Sequence, residues 1–474
     1  RKYKPDTRHQ RRGRKIVKYL VKIDFPWPEA RSVLKLAGPI ALTQIGMVLY
    51  GTVDMLFVGR LGPVAIAAVG LGSMTYFTFF VVGMGVVMGI DSHSSKAFGA
   101  GRPDLCGQLL VHTLVLALAV ALPIFFLFGL AGPAYRFIGV DPRAAEGAVG
   151  YIHILRWGVF PGLCFVACRQ FLQSMSITTP LLVAIVVGNL VNAALDAILV
   201  FGQLGAPALG VRGSAFATLG ANLTMFAVVA VSAWSRLRAI AFKFHGWHRR
   251  LFIDVAALGI PGGAAMAVEV AVFSLVTALV GRLGAETLAA HQLTLNLASL
   301  TFMVPMGLSH AAATRVGQAL GRGDPRAAAA SGRAATIMSV TFMAATGVTF
   351  ALAPRLILGL FGADDTVIAV ATPLLYCGAA FQVFDGAQAV LTGALRGLGS
   401  TRRPLIINLL GHWLIGLPIG VTLGFGLKWG AVGLWLGLVA GLASVAILLW
   451  REWERMVLET GSVFNPPVSA SMPV

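Results

Sequence analysis

Long apolar blocks fill this chain, and short polar clusters separate them. The blocks lie near 36–58, 64–92, 108–132, 149–172, 179–202, 210–234, 254–280, 286–314, 334–360, 366–392, 404–426 and 430–450. A helix that crosses the hydrocarbon core needs about 20 apolar residues, so the pattern predicts about twelve transmembrane helices. Backbone groups in lipid must satisfy one another, and runs this long do so as helices rather than barrel strands. The string VGRLG at Val58–Gly62 recurs at Val280–Gly284, an offset of 222 residues. Pro39 and Pro261, Gly85 and Gly307, Ala97 and Ala319, and Gly99 and Gly321 share that offset. The expected fold is therefore all-α and integral to the membrane, with two pseudo-symmetric six-helix bundles. Six is even, so both copies enter from the same side and form a parallel repeat about an axis along the membrane normal.

The expected organisation is a basic cytoplasmic segment (1–35), an N-lobe of six helices (36–234), a cytoplasmic amphipathic linker (235–253), a C-lobe of six helices (254–450) and a cytoplasmic tail (451–474). Composition agrees: 57% of residues are hydrophobic and 12% charged, and the mean hydropathy is +0.81. Soluble domains are about one quarter charged. The net charge of +18 raises the question of nucleic acid. Its distribution answers it, because twelve cations lie in residues 1–35 and five in 235–253. That is the positive-inside asymmetry of a membrane protein, with attraction to anionic lipid. The basic segment has no short apolar core with a small-residue cleavage site, so no secretory signal peptide is expected. Cys164 and Cys168 share a helix face in a predicted span and are expected, like Cys106 and Cys377, to be small buried hydrophobes.

Few acids lie deep in the apolar blocks: Asp54, Asp196, Glu269 and Asp385. An ionised acid at a helix centre costs about 2.5–3.5 kcal/mol on insertion scales, so each must face a cavity, find a partner or hold a proton. Tyr50 and Gly51 share the Asp54 face, and Asn192 and Asn189 share that of Asp196. Gln382, Gln388 and Thr392 accompany Asp385. Met266 lies beside Glu269, with Phe273 one turn later. Amides alone can act as glue between helices. Joined to carboxylates in both copies, they point to a cation-binding interior. His291, Gln292 and Asn296 form a further polar group in the eighth span. Arg156 is the one cation expected well inside a span, while Asp91 and His93 are expected at the interface. No nucleotide-binding or hydrolase motif stands in a credible context.

GTVDMLFVGRLG (Gly51–Gly62) resembles the first-helix signature of multidrug and toxic compound extrusion (MATE) transporters. AFGAGR (Ala97–Arg102) is similar to their second-helix exit. The stretches Glu269–Asn296, Phe302–Gly321 and Phe384–Gly399 resemble the NorM-like branch. The resemblance covers about residues 33–450. It implies antiport of organic, often cationic compounds against H+ or Na+, with no cofactor. It also implies ion-coupling roles for Asp54, Asn192, Asp196, Glu269 and Asp385, with a Na+ site at Glu269 and Asp385. Pro39 matches a first-helix proline that bends in some members.

The expected function is a secondary efflux antiporter working by alternating access, a monomer in the bacterial inner membrane with both termini cytoplasmic. It would act on small organic substrates through a site including Tyr50, Met266, Phe273, His291, Gln292, Asn296, Gln382 and Gln388, without nucleic acid. A lipid-linked precursor flippase would be expected to line its cleft with cations. A membrane transferase needs an acidic cluster such as DDxxD, and Asp364–Asp365 is the only adjacent acidic pair. A scaffold leaves the mid-span acids unexplained.

Overall fold

A computed structural model describes residues 26–362 and 364–464; most of the basic segment and the last ten residues of the tail lie outside them. The N-lobe contains α1 (Trp27–Val58), α2 (Pro63–Val87), α3 (Ile90–Gly99), α4 (Pro103–Leu127), α5 (Ala131–Ile138), α6 (Pro142–Leu155), α7 (Val159–Ser174), α8 (Thr179–Phe201) and α9 (Val211–Ala239). The C-lobe contains α10 (Arg249–Gly281), α11 (Ala285–Gly321), α12 (Pro325–Leu352), α13 (Pro354–Leu360), α14 (Asp365–Leu398), α15 (Arg402–Asn408), α16 (Leu417–Val421) and α17 (Gly430–Phe464). Among the described residues there is no strand.

Local chemistry sets the boundaries. Proline occupies the first turn of α2, α4, α6 and α12, where the missing N–H is one the helix would leave unpaired anyway. Asp141 and Asp324 cap α6 and α12, accepting from Ala144 N at 3.1 Å and Ala327 N at 2.9 Å. The repeated VGRLG string ends one helix and turns into the next. Its last glycine has φ +101° at Gly62 and +119° at Gly284, a conformation that side chains disfavour.

Helix starts obey the repeat: Trp27 and Arg249, Pro63 and Ala285, and Pro103 and Pro325 are each 222 apart. Eleven helical segments are long and apolar enough to cross a membrane by composition alone. The twelfth is α11, the counterpart of α2 and α3. At 37 residues it spans about 55 Å, but His291, Gln292, Asn296, His310 and Gln318 lower its hydropathy.

Two boundaries differ from expectation. The first helix begins at Trp27, not near residue 36, and α17 runs on past residue 450 to Phe464. Trp453 is fully buried, Glu454 pairs with Arg333 at 2.7 Å and Glu452 with Arg403 at 3.2 Å, so the end of α17 is held as a helix. The connection between lobes is also shorter than 235–253. Only 240–248 leave the helices, and they dock on α4: Phe242 lies against Gly107, Trp247 stacks on His112 at 4.5 Å, and His248 N donates to His112 Nε2 at 3.0 Å.

The lobes interlock at the face that carries Trp27, this connection and Phe464, here termed the terminal face. Val33, Leu36, Ala37 and Ile40 of α1 share a core with Leu308, Ala311 and Val316 of α11. Val255 of α10 shares one with Val86 and Val87 of α2. Small residues permit the approach: Gly307 faces Ala41, and Gly259 faces the Val86 backbone. Among the described residues, every hydrogen bond and ion pair that joins the lobes lies on this face. Towards the other face the lobes keep separate cores.

A second glycine seam closes α15, α16 and their π-helical extensions (Leu409–Gly416, Thr422–Gly426) onto α17. Gly437 meets Gly420 and Gly416, while Gly441 meets Gly411 and Gly416. Gly437→Leu is expected to destabilise the protein by about 1–3 kcal/mol, as overpacking does, measured as a lower melting temperature in detergent; an unchanged melt would mean that the seam yields freely.

Candidate functional site

In the N-lobe, α1, α8 and α9 bring five polar side chains to one locus. Gly46 receives Ile185 of α8, and Gly188 receives Met225 of α9, so the three helices pack closely at this level. Asp54 is 5% exposed, and Asn192 and Asp196 are fully buried. Thr218 Oγ1 donates to Asp54 Oδ2 at 2.9 Å, and Asn192 Nδ2 donates to Asp196 Oδ2 at 3.4 Å. The carboxyl groups of Asp54 and Asp196 stand within hydrogen-bonding reach of each other, with Ser214 beside Asp196. Asp54 Oδ1, Asp196 Oδ1 and Asn192 Oδ1 are buried and receive no donor. Two facing carboxyl groups with unmet acceptors suit a shared proton or a small cation.

Tyr50 lies next to this locus, its hydroxyl donating to Thr218 O at 2.8 Å. Thr218 and Ser214 are absent from the sequence-based site. Their signal was a polar i, i+4 pair inside the span that follows Asp196.

In the C-lobe, α10 and α14 bring Glu269 and Asp385 into electrostatic contact. Gln388 Nε2 donates to Glu269 Oε1 at 3.0 Å, and Asp385 lies between Gln382 and Gln388 along α14. Phe273 meets Phe381 edge-on at 6.0 Å and lies 6.5 Å from His412. Met266 sits at the lobe seam against Gly85. Among the described residues, no group of three or more His, Cys, Asp or Glu could hold a metal, so any cation here meets two carboxyl groups and amides.

Other expected site residues sit elsewhere. Gln382 accepts from Thr301 at 3.0 Å and Thr346 at 2.6 Å, which ties α14 to α11 and α12. His291 is fully buried. It pairs with Thr277 at 3.0 Å and accepts from Trp435 Nε1 at 3.1 Å, a packing arrangement inside the lobe. Gln292 and Asn296 share an exposed face of α11. Pro39 lies within α1, which continues as one helix across it.

Two expectations about charge change, and one buried cation is added. Arg156 stacks over Phe125 at 4.7 Å, at the break between α6 and α7, and among the described residues it pairs with no acid. Arg169, not singled out from the sequence, is 2% exposed and lies in α7. Asp91, expected at the interface, is buried and pairs with Arg396 across the lobe seam at 3.3 Å. The four cysteines are buried and free. Of the adjacent acids, Asp364 is a helix cap. It accepts from Val367 N at 2.9 Å and Thr366 Oγ1 at 2.8 Å, and these donors hold its exposed carboxyl below the usual carboxylate range.

The two lobes differ at equivalent positions. By the repeat offset, Asp54 corresponds to Val276. Aligning Gly210 and Gly213 with Gly430 and Gly433 places Leu434 and Leu438 against Ser214 and Thr218. Val276, Leu434 and Leu438, with Gly416, Gly420 and His412, line a void of about 10 Å³, room for about one water molecule. Where one lobe holds the carboxyl locus, the other holds a small hollow without a carboxyl group, lined by aliphatic residues and His412.

The MatE family model matches residues 39–198 and 261–422. The chain belongs to the MatE family. The two matched blocks begin at Pro39 and Pro261, and so follow the repeat. Among curated relatives, "Probable multidrug resistance protein NorM" of Mesorhizobium japonicum is 34% identical over 440 residues, covering 90% of this chain and 94% of the relative. The protein of that name from Bradyrhizobium diazoefficiens is 35% identical over 444 residues, covering 90% and 94%. "Multidrug resistance protein MdtK" of Edwardsiella ictaluri is 33% identical over 436 residues, covering 89% and 94%. The crystal structure of the eukaryotic MATE transporter AtDTX14 superposes with a TM-score of 0.84 at 22% identity, covering 92% of this chain and 99% of that one. A MOP superfamily transporter from Pyrococcus furiosus superposes at 0.83 and 20% identity, covering 91% and 97%. This MatE protein is thus a multi-pass membrane transporter with the twelve-helix fold, and not an enzyme.

Proposed function

We propose that this chain exports organic, cationic and amphipathic compounds in exchange for H+, by alternating access and as a monomer in a bacterial inner membrane. The terminal face is cytoplasmic on this reading, which agrees with the cations of residues 1–35 and 235–253. The observation that carries the coupling ion is the Asp54–Asp196 pair, two buried carboxyl groups with three unmet oxygens around them. One proton bridging the pair supplies the missing donor. Losing it leaves two like charges in a low-dielectric site, which favours a different packing of α1, α8 and α9. Glu269 and Asp385 supply negative charge for a cation in the other lobe, organic cargo or Na+. The relatives' names speak of multidrug resistance, and a site of acids, Phe and Met suits cationic amphipathic cargo. An acidic interior disfavours the phosphate-bearing cargo of a flippase.

Proteoliposomes loaded with a cationic dye and given separate pH and Na+ gradients test this. Efflux driven by the pH gradient alone is expected. Efflux that follows only the Na+ gradient would transfer coupling to Glu269 and Asp385, and efflux under neither would overturn antiport.

A further inference from the structure

Two side chains donate hydrogen bonds across the lobe seam at equivalent places in the repeat. Lys96 of α3 donates from Nζ to the carbonyl of Leu398, the last residue of α14, at 2.9 Å. Gln318 of α11 donates from Nε2 to the carbonyl of Ser174, the last residue of α7, at 2.8 Å, and to Ser176 Oγ at 3.0 Å. Lys96 and Gln318 are 222 residues apart, so each is the other's counterpart. Both carbonyls are helix-end acceptors that lack an intrahelical partner.

The backbones cross at the same level. Gly99 lies on the Gln318 carbonyl and Gly321 on the Lys96 carbonyl, and a Cβ at either glycine would overlap that oxygen. These glycines are again 222 apart. Two inter-lobe ion pairs flank the crossing, Asp91–Arg396 at 3.3 Å and Glu29–Arg315 at 2.8 Å. A hollow of about 510 Å³, lined in part by Lys96, Gly321 and Leu398, opens beside the crossing. Water there competes for the same carbonyls, so these bonds hold the lobes yet can be exchanged.

We propose that Lys96 and Gln318 form a two-fold clasp that holds the cytoplasmic side shut, and that releasing both admits cargo from the cytoplasm. A rocking of the lobes away from each other that keeps the pseudo-two-fold relation lengthens both contacts together, so they act as one element. The proposal rests on the alternating-access reading above, but its test does not use transport.

Spin labels at Asp104→Cys and Arg326→Cys report the opening. These positions are exposed, occupy equivalent places in the two lobes, and leave the native cysteines buried. Pulsed dipolar spectroscopy on the otherwise unaltered chain should give one short distance. Lys96→Ala with Gln318→Ala should raise the ratio of long- to short-distance populations on the order of ten-fold or more, as expected for three lost bonds of which one is charge-assisted. Each single variant should give an intermediate shift, and Lys96→Gln, which keeps a donor, should return it towards the short distance. Gly99→Ala should open the seam by wedging it, with both donors present. A double variant that keeps the starting distribution, or a Lys96→Gln variant as open as Lys96→Ala, would overturn the clasp. Transport failing in the unaltered protein would instead overturn the antiport reading and leave this measurement standing.

Discussion

Asp54→Asn is expected to lower proton-driven dye export about ten-fold or more while the protein still reaches the membrane. The substitution replaces one partner of a buried carboxyl pair by an amide of the same shape. Its Nδ2 supplies a permanent donor towards Asp196, which otherwise has an unmet oxygen. The locus is then fixed in a form that mimics the protonated pair. A site with one state has no differential affinity to couple to lobe movement, and an ion gradient can shift nothing through it. Asp196→Asn should behave alike for the same reason. Thr218→Val removes the hydroxyl that lies 2.9 Å from both Asp54 Oδ2 and Ser214 O; a hydrogen bond to a charged group is worth about 1.5–3 kcal/mol, so the substitution should weaken export rather than end it. Efflux under an imposed pH gradient, normalised to protein in the membrane, is the measurement. Export at the unaltered rate by Asp54→Asn would remove the N-lobe locus from the coupling mechanism.

The next largest effect is expected in the other lobe. Glu269→Gln and Asp385→Asn should each weaken binding of a cationic dye about ten- to hundred-fold, the loss of one charge-assisted contact. Glu269→Gln preserves packing, because its new carbonyl can still accept from Gln388 Nε2, now at 3.0 Å from Oε1. Equilibrium binding to purified protein reads the effect without the ion gradient, and so separates it from loss of proton coupling. Unchanged affinity in both variants would place the cargo elsewhere. Gln382→Leu belongs to a different class, since it cuts the ties to Thr301 and Thr346 and should lower stability.

Much of this was legible in the sequence, and the particulars show why. The apolar blocks and the 222-residue offset carried the architecture, because lipid leaves the backbone little besides helices and a duplicated unit keeps its turn chemistry. Carboxylates at mid-span carried the site, since their burial needs a reason. Partners across helices were less visible. Thr218 and Ser214 look like ordinary small polar residues until α9 packs on α8. His291 read as a cleft residue because its polarity was plain, while Trp435, which occupies it, lies 144 positions away in sequence. Arg169 was passed over and Asp91 misplaced because hydropathy records depth along one helix and not the seam between two lobes.

The hollow opposite the carboxyl pair, which holds no acid, bears on stoichiometry. Where Asp54, Ser214 and Thr218 build a socket, Val276, Leu434 and Leu438 fill its twin. On the proposed reading, the duplicated scaffold has two equivalent berths for a proton and only one is wired. The exchange ratio is then written into a handful of side chains rather than into the architecture. Placing an acid and a hydroxyl in the second berth becomes a way to ask whether a transporter of this shape can be made to count to two.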